Sequence, residues 1–122
     1  MRKISREEST FVSLILEING FSHLSKRISG DTLVTPMNDG GMGSLYFPES
    51  DTDVRQGRRM GKEILRGLFV DDDGTPVSFT INLDEDGRLF ELDVWKVDGT
   101  PLVRLPAKSS ELADDASGQS LY

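Results

Sequence analysis

The apolar positions of this chain change their period along its length. Phe11, Leu14, Ile15 and Ile18 recur at helical spacing, while Thr10, Ser13 and Glu17 mark the opposite side. Ser5-Arg6-Glu7-Glu8 has the form of a capping box, with a serine at the N-cap and a glutamate three residues on. Gly20 supplies the left-handed residue that stops a helix. The spacing predicts a helix over 6–19 with one buried stripe, and a single further turn fits 23–28.

Past residue 30 the period falls to two. Thr32-Leu33-Val34 and Ser44-Leu45-Tyr46-Phe47 read as strands. Asn38-Asp39-Gly40-Gly41-Met42-Gly43 between them reads as a turn, because glycine after Asn or Asp adopts positive φ cheaply. Residues 48–57 are polar and read as loop. Over 58–70 two readings compete. A helix would carry a basic stripe of Arg55, Arg59, Lys62 and Arg66, and a strand would align Ile64, Leu68 and Val70. The turn signal Asp73-Gly74 favours a strand from about 62.

The next two strands are plainer. Val77, Phe79, Ile81 and Leu83 alternate with Ser78, Thr80, Asn82 and Asp84, and after Asp86-Gly87 the residues Phe90, Leu92 and Val94 share a face. Turns centred on these Asp-Gly pairs would set Val70 against Val77, Leu68 against Phe79, Leu83 against Phe90 and Ile81 against Leu92. Pro101 and Pro106 end regular pairing. The expected fold is α+β: an N-terminal helix packed on an antiparallel β-meander of four to five strands, with residues 1–106 as one domain and 107–122 as a mobile C-terminal tail.

Composition narrows the class of function. There is no cysteine, hence no disulfide and no thiolate metal site, which fits a reducing cytoplasm. The start is basic, but Glu7, Glu8 and Glu17 interrupt the apolar stretch, so it does not read as a signal peptide. No apolar run approaches a membrane span. The net charge is −7, and the nine acids against two bases within 67–98 account for all of it. Such a surface repels nucleic acid and attracts basic partners.

No cluster of residues forces a chemistry. Asn82-x-Asp84-x-Asp86-Gly87-x5-Asp93 is a relaxed match to a calcium loop, but its flanks read as strands and its twelfth position holds a short aspartate. Gly40-Gly41-Met42-Gly43 lacks the following lysine and helix of a phosphate cradle. His23 is the only histidine. Glu91 and Asp93 share a strand face, without a cleft to separate their proton affinities. The basic group Arg55, Arg58, Arg59, Lys62 and Arg66 lacks interleaved aromatics. The expectation is therefore no enzyme, no cofactor and no metal. Strand 88–98 is the more informative feature. With Phe90, Leu92 and Val94 turned inward, Glu91, Asp93 and Trp95 share the outer face, beside Ser78, Thr80 and, from the neighbouring strand, Leu65 and Phe69. An aromatic anchor among acids has the character of a binding hot spot, and the competing reading is that a loop, the short second helix or the tail covers this face and makes Trp95 core.

Three segments carry a family resemblance: Pro36-Met37-Asn38-Asp39-Gly40-Gly41-Met42-Gly43-Ser44-Leu45; Asp71-x-Asp73-Gly74-x-x-Val77; and Glu91-Leu92-Asp93-Val94-Trp95-Lys96-Val97-Asp98. Over residues 1–104 the chain resembles a family of small bacterial proteins similar to immunity proteins, the antidotes of polymorphic or contact-dependent growth-inhibition toxins. It departs from that pattern at Gly99, where the family tends to carry an aromatic. The resemblance implies no catalytic residues. It implies a cytoplasmic protein whose partner is a cognate toxin domain; the acidic segment points to a basic nuclease as that toxin, and charge and hydropathy to neither nucleic acid nor membrane as partner. In that role Asp71, Asp73, Asp84 and Asp86 would steer, and Glu91, Asp93 and Trp95 would anchor. The rival expectation is a small-ligand or subunit-interaction module using the same face.

Overall fold

The structure, a computed structural model, describes residues 1–50 and 57–113. It is α+β, with one six-stranded antiparallel sheet. The elements run β1 (Arg2–Lys3), α1 (Arg6–Ile18), α2 (Ser22–Ser25), β2 (Leu33–Pro36), β3 (Leu45–Tyr46), β4 (Met60–Val70), β5 (Pro76–Asp84) and β6 (Leu89–Lys96). Part of the loop expected over 48–57 lies outside the described residues.

The strand order β1-β2-β3-β6-β5-β4 is not the simple meander that hairpin signals alone suggest. β4, β5 and β6 form a meander, but β3 pairs with β6 through Leu45 opposite Leu92 and Tyr46 opposite Glu91. The chain between β3 and β4 therefore crosses from the middle of the sheet to its far edge. The count exceeds the expected four to five because two-residue strands such as β1 have no readable period.

Helix α1 forms where its caps put it. Ser5 accepts from the Glu8 amide, and the Glu8 carboxylate accepts from the Ser5 amide. Arg2 then clamps Glu8 with two bonds of 2.8 Å. The far end closes with Phe21 N–H donating to the Leu16 carbonyl and Gly20 N–H to that of Glu17, with Gly20 at φ 86°. The buried stripe is Phe11, Val12, Ile15 and Leu16, rotated from the expected one; Ile18 is exposed and Leu14 half-buried. Phe11 packs on Phe69 and Phe79, at ring-centroid distances of 5.8 and 5.1 Å.

Both long hairpins turn through three residues. Asp71 N–H donates to the Thr75 carbonyl and Asp84 N–H to that of Arg88, with Gly74 and Gly87 in the left-handed region. An odd loop shifts β4 by one residue against the expected register. Phe69 lies opposite Val77 and Gly67 opposite Phe79, so Leu65 and Phe69 enter the core while Leu68 and Val70 change face. In the second hairpin Ile81 does face Leu92, and a bulge after Asn82 absorbs the odd residue. Leu89 then stands opposite Leu83. Phe90 is thrown out of the main core and packs edge-on to Tyr46 at 5.6 Å.

Residues 107–113 do not behave as tail. A 3-10 turn (Ser109–Glu111) leads to buried Leu112 and Ala113, and Ala113 pairs through both backbone groups with Leu68 on β4. The remainder of the expected tail lies outside the described residues.

Candidate functional site

The two Asp-x-Asp-Gly turns are alike in a way that composition conceals. The first aspartate of each turns inward and meets a buried cation. Asp84 accepts from the Asp86 and Arg88 amides on Oδ1 and from the Arg58 guanidinium on Oδ2, at 2.9–3.2 Å. Arg58 also donates to the Tyr46 hydroxyl and to the carbonyls of Phe47 and Leu89, and lies 5.4 and 5.1 Å from the ring centres of Tyr46 and Phe90. Burial would raise the Asp84 carboxyl; the Arg88 amide, the guanidinium and the Asp86 amide outweigh it and hold the group below the usual carboxylate value.

Asp71 repeats the arrangement at the other end of β5. It accepts from the amides of Asp72, Val103 and Arg104, and from Lys96 Nζ at 2.9 Å. The Lys96 side chain is wholly enclosed and also donates to Asp73 and to the Pro101 carbonyl. Burial would raise the Asp71 carboxyl, yet the ammonium and the three amides pull it below its usual value. Burial would likewise lower Lys96, and the Asp73 and Asp71 carboxylates keep it raised. Asp71 and Asp84 are therefore internal counter-ions, with no carboxylate left to steer a partner. Asp73 is exposed but committed to Lys96, and Asp86 is exposed on its turn.

The glycine loop joins the same construction. Asp39 accepts from the Met42 and Ser44 amides, folding the loop on itself. Ser44 Oγ accepts from the Val94 amide and donates to the Val94 carbonyl, while Met42 Sδ accepts from Lys96 N–H. A side chain at Gly43 would press on Leu102 at 3.1 Å, in a backbone at φ 107°. The three segments that carry the family resemblance thus meet at one end of the sheet, around Val94 and Lys96.

One expected residue does stand free. Trp95 is 59% exposed on the sheet face away from α1. Rows across that face follow from the register. Leu68, Ser78 and Trp95 form one; Arg66, Thr80 and Asp93 the next; then Glu63, Asn82, Glu91 and Tyr46. Val97, also exposed, continues the apolar end beside Pro76. Asp93 is half-buried and accepts from Asn82 at 2.8 Å, and Glu91 is buried. Between this face and the glycine loop lies a hollow of about 500 Å³, with Trp95, Met37 and Met42 on its walls and Ser78, Thr80 and Asp93 among its lining residues. The structure therefore brings Asp93 and Trp95 to one hollow, holds Glu91 nearby within the sheet, keeps the 71–74 turn at the same end of the sheet, and leaves the 84–87 turn at the other.

Sequence reasoning missed Lys96 and Arg58 as internal cations. Lys96 had a legible sign: it continues the inward parity of Leu92 and Val94, so a charge there must be buried. Arg58 had none, because only the fold brings it against Asp84.

Among the described residues, no three His, Cys, Asp or Glu side chains group as a metal site, and no helix is long and apolar enough to cross a membrane. The fold and site together define a small α+β domain with Trp95 exposed on the sheet face away from α1 and a stapled end. A family model, Domain of unknown function (DUF6984), matches residues 1–106, and the chain belongs to that family. Neither the curated proteins nor the solved structures contain a match to it.

Proposed function

We propose that this protein is an immunity protein that neutralises a bacterial toxin domain by stoichiometric occlusion, bound through the sheet face around the exposed Trp95. The observation that carries the reading is the exposure of Trp95, the chain's one tryptophan, beside the hollow walled by the glycine loop. A large aromatic left bare on a rigid sheet costs hydration, and such anchors dominate protein interfaces. The partner would be basic, because the chain carries a net −7. A basic nuclease domain fits, its acidic inhibitor replacing the phosphate backbone as counter-charge. The protein acts as a binder in the cytoplasm and not as an enzyme on this reading. Asp71 and Asp84 drop out of the binding surface; Asp93 and Trp95 remain on it, with Glu91 and Asp73 at its margins and Asp86 on the turn at the far end of the hairpin as a steering charge only.

The test is affinity capture of the protein from its native cells at low and high salt, followed by a growth-protection assay against the captured partner. The proposal expects one stoichiometric basic partner. Asp86→Asn combined with Asp93→Asn should weaken its capture mainly at low salt, and the wild-type chain should protect. A captured partner that is not toxic, or a toxin whose effect the protein does not relieve, would overturn it. Self-association through Trp95 without any partner would instead favour a subunit-interaction module.

A further inference from the structure

A second concavity lies at the other end of β6 from Trp95, and it has a different character. It encloses about 580 Å³ between α2, the start of β2, the segment after β3 and the 84–88 turn. Its apolar lining includes Leu24 from the core and the partly exposed Ile28, Leu33 and Leu89. Leu24 is itself buried, and the three partly exposed residues extend the apolar surface over it, in a hollow of the size that holds small ligands. Arginines border it in a chain that is otherwise acidic. Arg58 is committed to Asp84, but Arg27 is exposed and makes no ion pair among the described residues. Arg88 reaches Glu49 at 2.6 Å in an exposed pair, which contributes little and exchanges readily.

We infer that this hollow is a binding site for a small apolar carboxylate, with its hydrocarbon body over Leu24, Ile28, Leu33 and Leu89 and its carboxylate on Arg27 and Arg88. The two guanidinium groups supply forked donors suited to a carboxylate, and the apolar floor supplies the area that orients the chain. Glu49 also lines the hollow and must yield Arg88 to the ligand, but three arginines against that one lining carboxylate still favour an anion, and a purely polar anion leaves the floor wet. The site is independent of the Trp95 face, so one can fail without the other.

The test is a two-dimensional amide NMR titration of the full chain with octanoate, and with octanamide as the uncharged probe of equal length. Octanoate should give saturable shifts at residues 24–33, 47–50 and 88–89, and leave the 93–97 amides unmoved. Octanamide should bind about tenfold more weakly, since it loses the charge-assisted bonds. Arg27→Ala and Arg88→Ala, both on exposed side chains, should each weaken octanoate several-fold with an unchanged circular dichroism spectrum. Equal binding of the two probes, shifts centred elsewhere, or no saturation would overturn the assignment.

Discussion

Replacing Asp84 by Asn separates an internal counter-ion from a surface charge. Asp84 is 5% exposed, and its two oxygens divide the work: one receives the turn amides of Asp86 and Arg88, the other the guanidinium of Arg58. An asparagine keeps a single acceptor. If that oxygen stays on the amides, its NH2 group faces a guanidinium whose side chain is 10% exposed, and a nearly buried cation loses its nearest carboxylate among the described residues, with Glu49 farther off at 3.6 Å. Removing one partner of such a pair costs about 3–5 kcal/mol, whereas exposed changes stay within about 0.5 kcal/mol. For a domain of this size the melting temperature should fall by roughly 10–20 °C. Asp86→Asn, two residues away on the same turn, should move it by no more than about 3 °C. The assay is urea and thermal unfolding followed by far-ultraviolet circular dichroism, because the exposed Trp95 ring is a poor reporter of folding. Equal midpoints for the two variants would refute the assignment of Asp84 to the interior.

Three further outcomes follow from the same geometry. Asp71 and Asp84 are both depressed when folded, so their stabilisation is complete above the unfolded aspartate value of about 3.9 and disappears as pH falls through the lower folded values. Urea midpoints should be flat from about pH 7 to 5 and drop steeply below about 4; a midpoint unchanged at pH 3 would contradict this. Gly67→Ala would set a methyl 2.6 Å from Phe79 Cζ and 2.8 Å from the Ala113 carbonyl oxygen, and should destabilise by about 1–3 kcal/mol in the same unfolding assay. Ser44→Ala leaves the buried Val94 amide and carbonyl without their hydroxyl partner and should cost about 1–3 kcal/mol, detectable also as faster amide exchange at Val94.

How far the fold was legible depended on which interaction decided each element. The capping box and Gly20 act within a few residues, so α1 could be placed closely from local rules. β5 and β6 show their period because one face of each is buried, and the pairing of Ile81 with Leu92 follows from it. β4 went wrong by one residue. Both Asp-Gly signals are compatible with two- and three-residue loops, and the odd loop turns Leu65 and Phe69 inward. The insertion of β3 beside β6 is a long-range pairing with no local signature. Trp95 was legible as an outward residue because parity alone fixes it. The acidic turns misled for the converse reason: a count of charge cannot reveal that Asp71 and Asp84 each meet a cation brought from a distant strand or loop.

The most direct measurement on the proposed function is calorimetric titration of the captured toxin domain with the wild-type chain and with Trp95→Ala. Trp95 is exposed, so the variant should unfold at the wild-type midpoint to within about 0.5 kcal/mol. The account predicts a one-to-one complex for the wild type and a loss of at least about 2 kcal/mol, roughly thirtyfold in affinity, for the variant, together with loss of protection in cells. A variant that binds and protects as well as the wild type would contradict the assignment of this face as the toxin-binding surface.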